Sequence, residues 1–442
     1  MPEFLQLSPP IEALQTLLRA LPDRIPAYET IEATTALGRV LAADVTAPHS
    51  LPEFPRSTVD GYALRARDTF GASEAMPVYL IQIGEIPMGD APSFALSPGT
   101  CALIHTGGML PEGADAVVML EYTQSIRHAV QEESKESTKK VSEDQQGFIN
   151  KTEIEISRAV AEGENVIRVG EDVAVNQVVI AAGVRMRPAE IGGCMALGIL
   201  RLRVATKPRI GIISSGDEVI SPAKCPRPGQ VRDINSYSLA SLIELAGGEP
   251  VRYGILPDNV EAMKTIAEQA IKKVDTLVIT AGSSASARDT TAEAIASLGT
   301  PGILVHGVNV RPGKPTILAV CDGKAVIGLP GNPVSALVIA GLFMVPVIEK
   351  LLGLKVLRPR PSMLAKLTVN VPSQAGREDW VAVRIFHPSK TDNQEETDDW
   401  FAEPIFGKSN LIFSLAAADG LMRIPPDATG CSAGEMIEVF LI

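Results

Sequence analysis

The first half of the chain alternates between short helical and extended patterns. Apolar residues recur at helical spacing over residues 11–22, and a second helix is predicted over 26–38. Short apolar runs bounded by glycine, proline and acidic residues fill 49–124, which is typical of a small β domain. Strands resume over 153–185, and a short helix is predicted from Pro188, whose missing N–H costs nothing in a first turn. This order predicts a helical and β linker module into which a β domain is inserted.

Residues 125–152 interrupt that pattern. They are rich in Glu, Lys, Ser and Gln and have almost no apolar periodicity. Such a composition indicates a solvated, partly disordered insertion between two strands. A second interpretation, a tail that binds a protein partner, remains open.

From residue 208 the pattern changes to buried strands that alternate with helices. The runs 209–214 and 275–280 are continuously apolar, as in strands that are buried on both faces. Because helical patterns lie between the strands, the succession predicts an open, three-layer α/β sheet with helices on both faces. Its last predicted elements are a strand over 324–330 and a long helix from about Pro333 to Leu352.

Caps and composition changes set the predicted boundaries. Asn235 or Ser236 is predicted to cap the helix that ends at Gly247, and Asp258 to cap a helix over 259–273. Strands return after residue 358. The predicted domains are the linker module at 1–48 and 153–207, the inserted β domain at 49–152, the α/β domain at 208–357 and a small C-terminal β domain at 358–442.

Composition excludes several classes of protein. At 442 residues, with 45% hydrophobic and 21% charged residues, the chain resembles a folded protein of several domains. Forty basic against 52 acidic residues give a net charge of −12, the opposite of the balance expected for a nucleic-acid binder. Five scattered cysteines and five dispersed histidines predict neither disulfides nor a zinc site, and favour a cytoplasmic location. The most apolar run, 336–348, is too short to span a membrane.

One predicted strand end has the chemistry of an anion site. The strand that ends at 280 is followed by Gly282, which permits close approach of a ligand, and by the hydroxyls of Ser283, Ser284 and Ser286. A helix is predicted to begin near Asp289, and the free N–H groups of a helix start favour an anion. The alternative is a simple strand-to-helix turn that Asp289 caps.

Two further loops favour the anion interpretation. The loop at 309–317 places two cations in a stiff turn, which suits an oxyanion. The loop at 328–337 follows a strand and begins a helix. Both would lie at the edge of the sheet where ligands bind. The candidate ligand-binding residues of these loops are Arg311 and Lys314 in the first, and Pro330, Gly331, Pro333 and Ser335 in the second.

Acidic residues accompany the predicted anion site. Asp217, Glu218, Asp233 and Asp289 would repel an anionic substrate unless a divalent cation lay between them. Magnesium held by one or two carboxylates and ligand oxygens fits this combination. For each acid taken alone, a helix cap or a solvated side chain is the alternative.

Several ordered blocks resemble one known family. They include "RSTVDGYA", "TGGMLPEGADAVVMLE", "RVGEDV", "RPAEIGG", "ISSGDEV", "RDINSY", "RPGKP" and "GLPGNPVSA", and they extend over nearly the whole chain outside 125–152. The chain is similar to the molybdopterin molybdenumtransferases, which include the MoeA proteins and gephyrin E-domains. It departs from the family pattern at 55–57, "PRS" for the frequent D-N-S, and at 281–287, "AGSSASA" for S-G-G-V-S-V-G.

The resemblance implies four subdomains and a homodimer whose cleft lies between the α/β domain of one subunit and the inserted β domain of the other. It implies that adenylylated molybdopterin and molybdate become molybdenum cofactor with release of AMP, assisted by Mg²⁺. An upstream adenylyltransferase and downstream molybdoenzymes are possible partners. The residues assigned to the active site by matching are Asp60, Thr106, Asp172, Glu190, Asp233, Asp289, Pro330 and Pro333.

Two other functions remain as alternatives at this point. One is adenylyl transfer to molybdopterin, and the other is a non-catalytic scaffold of the gephyrin kind. The N-terminal blocks disfavour the first, and only the polar insertion favours the second.

Overall fold

The computed structural model describes residues 7–127, 152–281, 285–356, 360–387 and 399–442, without the side chains of 285–289. The chain divides into two units. Unit 1 is the described part of Met1–Ala43, Ala182–Gly192 and Leu200–Ile442, and unit 2 that of Asp44–Ala181 and Gly193–Ile199. The described helices are α1 Pro10–Ala20, α2 Pro188–Ala196, α3 Asn235–Ala246, α4 Val260–Ile271, α5 Ala285–Ala296, α6 Pro333–Ile339, α7 Val345–Leu351 and α8 Ile412–Ala416.

The described strands are numbered here in chain order. Those up to residue 205 are β1 Tyr28–Glu32, β2 Val45–Thr46, β3 Arg56–Ser57, β4 Gly61–Leu64, β5 Val78–Ile86, β6 Thr100–Ile104, β7 Ala116–Met119, β8 Thr123–Arg127, β9 Thr152–Ile156, β10 Val166–Ile167, β11 Val178–Ile180 and β12 Arg201–Ala205. The remaining strands are β13 Arg209–Ser215, β14 Val219–Ile220, β15 Val231–Arg232, β16 Glu249–Leu256, β17 Thr276–Ala281, β18 Pro301–His306, β19 Val310–Arg311, β20 Ile317–Cys321, β21 Lys324–Pro330, β22 Ser362–Leu367, β23 Val371–Pro372, β24 Glu378–Phe386, β25 Phe401–Pro404, β26 Gly420–Ile424, β27 Gly430–Cys431 and β28 Met436–Leu441.

Unit 2 is built on a six-stranded sheet in the order β7-β4-β6-β5-β9-β8. Strands β5 and β6 are parallel and the other neighbours antiparallel. Its β-rich core includes Leu64, Ile104 and Ile154, all fully buried. Strands β8 and β9 pair with each other, and the polar segment predicted between them lies, at 128–151, outside the described residues.

A second six-stranded sheet organises the α/β part of unit 1, in the order β16-β13-β17-β21-β20-β18. The first four strands are parallel, whereas β20 pairs antiparallel both with β21 and with the edge strand β18. Helices α1, α3, α6 and α7 pack on one face around Ile212 and Ile327, and α4 and α5 on the other around Ile213 and Val326. The predicted three-layer α/β arrangement is therefore confirmed.

The long C-terminal helix of this sheet is continuous from Pro333 to Leu351, because a π-helical segment at Ala340–Met344 joins α6 to α7. By length and composition alone this helix, with a mean hydropathy of 2.0, could cross a membrane, although half of the apolar window is buried within the protein. The apolar helix is longer than the run 336–348 suggested. Buried side chains such as Phe343 and Val347 instead pack it against the sheet.

The C-terminal β part of unit 1 is a closed barrel. Strands β24, β25, β22, β28 and β26 pair in that order, and β26 pairs back to β24. Its core includes Val383, Met422 and Val439, which are fully buried. Strand β19 joins the outside of this barrel in parallel pairing with β24, with Arg311 opposite Asp379. The connection between the α/β sheet and the barrel is therefore direct.

The structure corrects four local predictions. Residues 26–38 do not form a helix, since Tyr28–Glu32 pairs along its whole length with Arg201–Ala205 and only Ala33–Thr35 forms a 3₁₀ turn. Helix α3 already begins at Asn235, and the carboxylate that accepts from its first turn belongs to Asp233. Asn259 rather than Asp258 caps α4. Helix α5 begins at Ala285, so Asp289 lies inside it and does not cap it.

Candidate functional site

Asp60 is held by two donors of one residue at the end of the unit 2 sheet. Its Oδ1 accepts the backbone N–H of Thr106 at 2.7 Å and the Thr106 hydroxyl at 3.1 Å. These hydrogen bonds lower the pKa of Asp60, the backbone N–H most, because they stabilise its charged form. Strands β4 and β6 are antiparallel neighbours. Asp60 directly precedes β4 and Thr106 comes shortly after the end of β6, so the two residues lie side by side.

A histidine and a glutamate extend this pair. His105 Nδ1 lies 3.9 Å from Asp60 Oδ1, while its Nε2 lies 3.0 Å from Glu85 Oε1. The imidazole therefore lies between two half-exposed carboxylates. The three residues belong to three neighbouring strands, since Asp60 precedes β4, Glu85 lies in β5 and His105 follows β6. Sequence reasoning missed His105 and Glu85, because only the pairing of β5 with β6 brings their side chains together.

Asp172 and Glu190 occupy different units. Asp172 lies in an exposed turn of unit 2, where its N–H donates to the Leu51 carbonyl at 3.1 Å. Glu190, in the first turn of α2, accepts the Arg187 backbone N–H at 2.9 Å and binds the Arg187 guanidinium at 2.6 Å. The Arg187 side chain lowers the pKa of Glu190 to about 2. Glu190 therefore also stabilises the start of α2.

Asp233 lies at the carboxyl edge of the α/β sheet and is buried. It accepts hydrogen bonds from the Ser214 hydroxyl at 3.2 Å and from the Ser236 N–H at 3.1 Å, and also from the Ser236 hydroxyl. Thr280, at the end of β17, lies 3.5 Å from the Ser214 hydroxyl. These contacts join the ends of β13 and β17 to the start of α3, at the edge where a ligand was predicted.

Part of the predicted anion site cannot be placed. Gly282, Ser283 and Ser284 lie outside the described residues, as do the side chains of Ser286 and Asp289. The residues on either side do adopt the predicted order of elements, since buried β17 leads into α5.

Three other predicted residues line a cavity of about 590 Å³ in unit 1. One wall is the end of β19, with Arg311, and the turn after it. The second wall is the end of β21, with Pro330, and the start of α6, with Ser335. Lys314, Gly331 and Pro333 belong to these turns but do not line the cavity. The C-terminal β part supplies the third wall, which sequence reasoning missed, and its polar and aromatic residues include Asp379, Trp380, Phe406, Lys408 and Ser409.

The barrel loop around Ser409 is fastened to the turn before α6. The Ser409 hydroxyl accepts from Asn332 Nδ2 at 2.9 Å, and its carbonyl accepts the Val334 N–H at 3.1 Å. One of the free N–H groups at the start of α6 is thereby satisfied by the barrel. Lys408 and Ser409 are consequently held at the cavity by the same contact.

A buried carboxylate balances the arginines near the cavity. Asp379 is almost fully buried and accepts from Arg377 Nε at 2.6 Å and Nη2 at 2.9 Å. Arg311 Nη1 lies 3.8 Å from the same carboxylate and remains largely exposed. Because the bidentate pair is formed with Arg377, Arg311 keeps donors available for a ligand.

Of the predicted metal ligands, Asp217 and Glu218 are exposed carboxylates after β13. Asp217 Oδ1 accepts the Asp258 N–H at 3.2 Å, and Asp258 in turn accepts the Ser215 hydroxyl at 2.6 Å. Within the described part of the chain, no three His, Cys, Asp or Glu side chains are grouped as metal ligands.

Family models match three consecutive regions. The MoeA N-terminal region (domain I and II) matches residues 9–198, a probable molybdopterin binding domain 211–350, and the MoeA C-terminal region (domain IV) 364–442. The molybdopterin molybdenumtransferase 2 of Mycobacterium tuberculosis is 33% identical to this chain, in an alignment that covers 93% of this chain and 94% of the relative's length. The chain belongs to the molybdopterin molybdenumtransferase family.

Relatives and a solved structure extend this match. A molybdopterin molybdenumtransferase of Bacillus subtilis is 30% identical to this chain, in an alignment that covers 94% of this chain and 90% of the relative's length. The crystal structure of a molybdopterin biosynthesis MoeA protein from Pyrococcus horikoshii OT3 aligns with a TM-score of 0.78 and 30% identity, covering 99% of this chain and all of that one. The family's architecture, with a N-terminal region, an α/β domain and a C-terminal β domain, is therefore that of this chain.

Proposed function

We propose that the protein inserts molybdenum into molybdopterin, and that its substrates are adenylylated molybdopterin and molybdate, with AMP as a product. The observation that carries the proposal is the 590 Å³ cavity, because two sequence blocks shared with the family meet there, "RPGKP" through Arg311 and "GLPGNPVSA" through Ser335. Curated relatives of nearly equal length are named molybdopterin molybdenumtransferases. Adenylyl transfer by the α/β domain alone would leave the barrel wall of the cavity without a role.

The cavity residues suit two anionic reactants. Arg311 and Lys408 are cations at its lining, and the Ser335 and Ser409 hydroxyls can donate to oxyanions. Trp380 and Phe406 offer aromatic faces for a planar ring. Lys314, Gly331 and Pro333 shape the adjoining turns, and the predicted donors Gly282, Ser283, Ser284 and Ser286 remain part of the proposal. Bringing molybdate and a phosphoanhydride together against their repulsion is the main task of these residues.

Mg²⁺ is proposed as the cofactor on the chemistry of the carboxylates. Asp217 and Glu218 are exposed and present oxygen donors of the kind magnesium prefers. Asp233 Oδ1 accepts two hydrogen bonds and Oδ2 accepts one, which leaves a lone pair of Oδ2 for the ion. The Asp289 side chain lies outside the described residues. When bound, the ion would neutralise phosphate charge.

Asp60 with Thr106, Asp172 and Glu190 complete the proposed catalytic set. The two Thr106 hydrogen bonds lower the pKa of Asp60, so its carboxylate persists to lower pH and can bind a hydrogen-bond donor of the substrate. A homodimer in the cytoplasm, supplied by an adenylyltransferase and serving molybdoenzymes, is part of the same proposal.

The proposal is tested by incubating the protein with adenylylated molybdopterin, molybdate and magnesium and measuring AMP and molybdenum cofactor. Wild-type protein should release both, while Asp60→Ala should fold and dimerise without releasing AMP. With molybdopterin and ATP instead, no adenylylated product should form. Formation of that product would favour the adenylyltransferase, and wild-type turnover by Asp60→Ala would remove Asp60 from the site.

A further inference from the structure

We propose that Asn235 is a positioning residue, which holds the turn between β21 and α6 so that the cavity beside this turn keeps the shape required for the reaction. The inference rests on the proposed function, because that function assigns the cavity to the two anionic reactants. Asn235 is the first residue of α3 and is only 9% exposed. Its side chain does not line the cavity, so it acts through the turn that it contacts.

The amide of Asn235 joins α3 to the turn before α6. Its Nδ2 donates to the Gly331 carbonyl at 2.8 Å. Because a carbonyl oxygen can only accept, the nitrogen of the amide must face Gly331, and this fixes the orientation of the amide. The side chain that accepts from the first turn of α3 is Asp233, so the Asn235 amide is not needed as a helix cap.

The other end of the amide lacks a partner. Among the residues that the structure describes, none donates to Asn235 Oδ1, although this atom is buried. A buried acceptor without a donor destabilises a fold, whereas an apolar side chain of the same shape does not. Side chains that break such rules are found mainly at functional sites. We therefore attribute the retention of this amide to the contact with Gly331, and that contact to the site.

The turn that Asn235 holds carries residues of the cavity. Gly331 lies between Pro330 and Asn332, which both line it. On the other side of the turn, Asn332 Nδ2 donates to the Ser409 hydroxyl at 2.9 Å. The turn is thus held from α3 and from the C-terminal β part. A shift of Gly331 would displace Ser335, in the first turn of α6, whose hydroxyl is proposed to bind an oxyanion.

Asn235 also links this turn to the buried acid of the proposed catalytic set. Asp233 lies shortly before Asn235 and accepts the N–H of Ser236, which follows it, at 3.1 Å. The start of α3 therefore carries both the acid and the amide that holds the cavity turn. A misplacement of about 1 Å between such parts of a site can lower a rate by about 100-fold. The expected role of Asn235 is to orient these two parts relative to each other.

The test replaces Asn235 with leucine, which has the same branching and no polar atom, in the whole protein. The midpoint of urea unfolding should stay near the wild-type value, because removal of the unpaired oxygen offsets the lost hydrogen bond. The kcat for AMP release from adenylylated molybdopterin, with molybdate and magnesium, should fall about 10- to 100-fold, while KM changes less than about threefold. Hydrogen exchange of backbone amides over 331–336 should become faster, which reports on the turn without any substrate.

Asn259→Leu is the matched control. The Asn259 side chain accepts the Ala262 N–H at 3.0 Å at the start of α4, which does not line the cavity. Its loss should lower the urea midpoint and leave both kcat and exchange over 331–336 unchanged. Asn235→Asp keeps the shape of the side chain but at neutral pH cannot donate to the Gly331 carbonyl, and should lower kcat at least as much as leucine.

The outcomes separate this inference from the proposed function. If the wild-type protein releases no AMP, the proposed function fails, and hydrogen exchange alone decides whether Asn235 holds the turn. Wild-type kcat and unchanged exchange in Asn235→Leu would overturn the inference. A drop in its urea midpoint as large as that of Asn259→Leu would also overturn it, because the amide would then serve the stability of the fold.

Discussion

Thr106 gives Asp60 both of its donors, the backbone N–H and the side-chain hydroxyl, on a single carboxylate oxygen. The pair joins two sequence blocks that stand far apart along the chain. It also lowers the pKa of an acid that we place in the catalytic set, since both bonds favour the carboxylate.

Thr106→Val should shift the acidic limb of the pH–activity profile to higher pH. The pKa of Asp60 is lowered in the native protein, so the carboxylate persists as pH falls, and removal of the hydroxyl raises that pKa part of the way back. The backbone N–H remains, so only a partial shift is expected. The profile is obtained by measuring AMP release between about pH 4 and about pH 8.

Thr100→Val is the matched control for that profile. Thr100 starts the same strand β6, and its hydroxyl donates to the Ser97 carbonyl at 2.8 Å. It touches no residue of the proposed catalytic set, so the acidic limb should stay in place. An unchanged limb in Thr106→Val would show that Asp60 does not govern it.

Glu190→Gln should reduce stability at neutral pH and have less effect in acid. The pKa of Glu190 is lowered from 4.5 to about 2, so its ion pair with Arg187 stabilises the fold above pH 4.5 and is lost as pH falls towards 2. A loss of about 1–3 kcal/mol at pH 7 is expected from urea unfolding. The exposed pair Glu32 and Arg201, 3.8 Å apart, is the control, and Glu32→Gln should cost less than about 0.5 kcal/mol.

Asp379→Asn should destabilise unit 1 strongly. The carboxylate is buried and forms a bidentate pair with Arg377, so its neutralisation leaves a partly buried guanidinium without a counter-charge. Loss of one partner of a buried pair costs about 3–5 kcal/mol. Glu403→Gln, at an exposed pair with Arg384 on the same barrel, is the control and should be nearly neutral in urea unfolding. Equal effects of the two variants would contradict the burial argument.

Gly61→Ala should prevent unit 2 from folding normally. A Cβ at this position would lie 1.9 Å from the Val118 carbonyl oxygen in the neighbouring strand β7, and a backbone atom there cannot move aside. Far-UV circular dichroism and thermal unfolding measure the effect. In Gly192→Ala, within α2, nothing lies within 4 Å of the added Cβ, and stability should rise by about 0.5–1 kcal/mol.

The elements that sequence predicted correctly are those whose pattern is set locally. The strand at Lys324–Pro330 has the predicted bounds and helix α3 has the predicted end, because a fully buried strand is apolar throughout and a glycine with φ 98° ends the helix at Gly247. The helix predicted over 26–38 was wrong for the opposite reason, since Tyr28–Glu32 is a strand. Its conformation is decided by pairing with Arg201–Ala205, which no local pattern records.

The candidate site divides in the same way. Arg311 and Ser335 were identified because each lies in a glycine- or proline-rich turn at a strand end. Asp379 and Ser409 were missed, since they reach the cavity only through folding of a barrel whose residues follow much later in the chain. Cross-strand neighbours such as His105 and Glu85 escaped for the same reason.

The two strands that connect Asp44–Ala181 to the rest of the chain affect how this segment could be transplanted into other proteins. Strands β2 and β11 are the segments by which the chain enters and leaves Asp44–Ala181, and they are hydrogen-bonded to each other, with Val45 opposite Ile180. Paired strands lie about 5 Å apart. An insert whose two ends are so close can be grafted into a surface hairpin of an unrelated host, or exchanged between relatives, without stretching either chain.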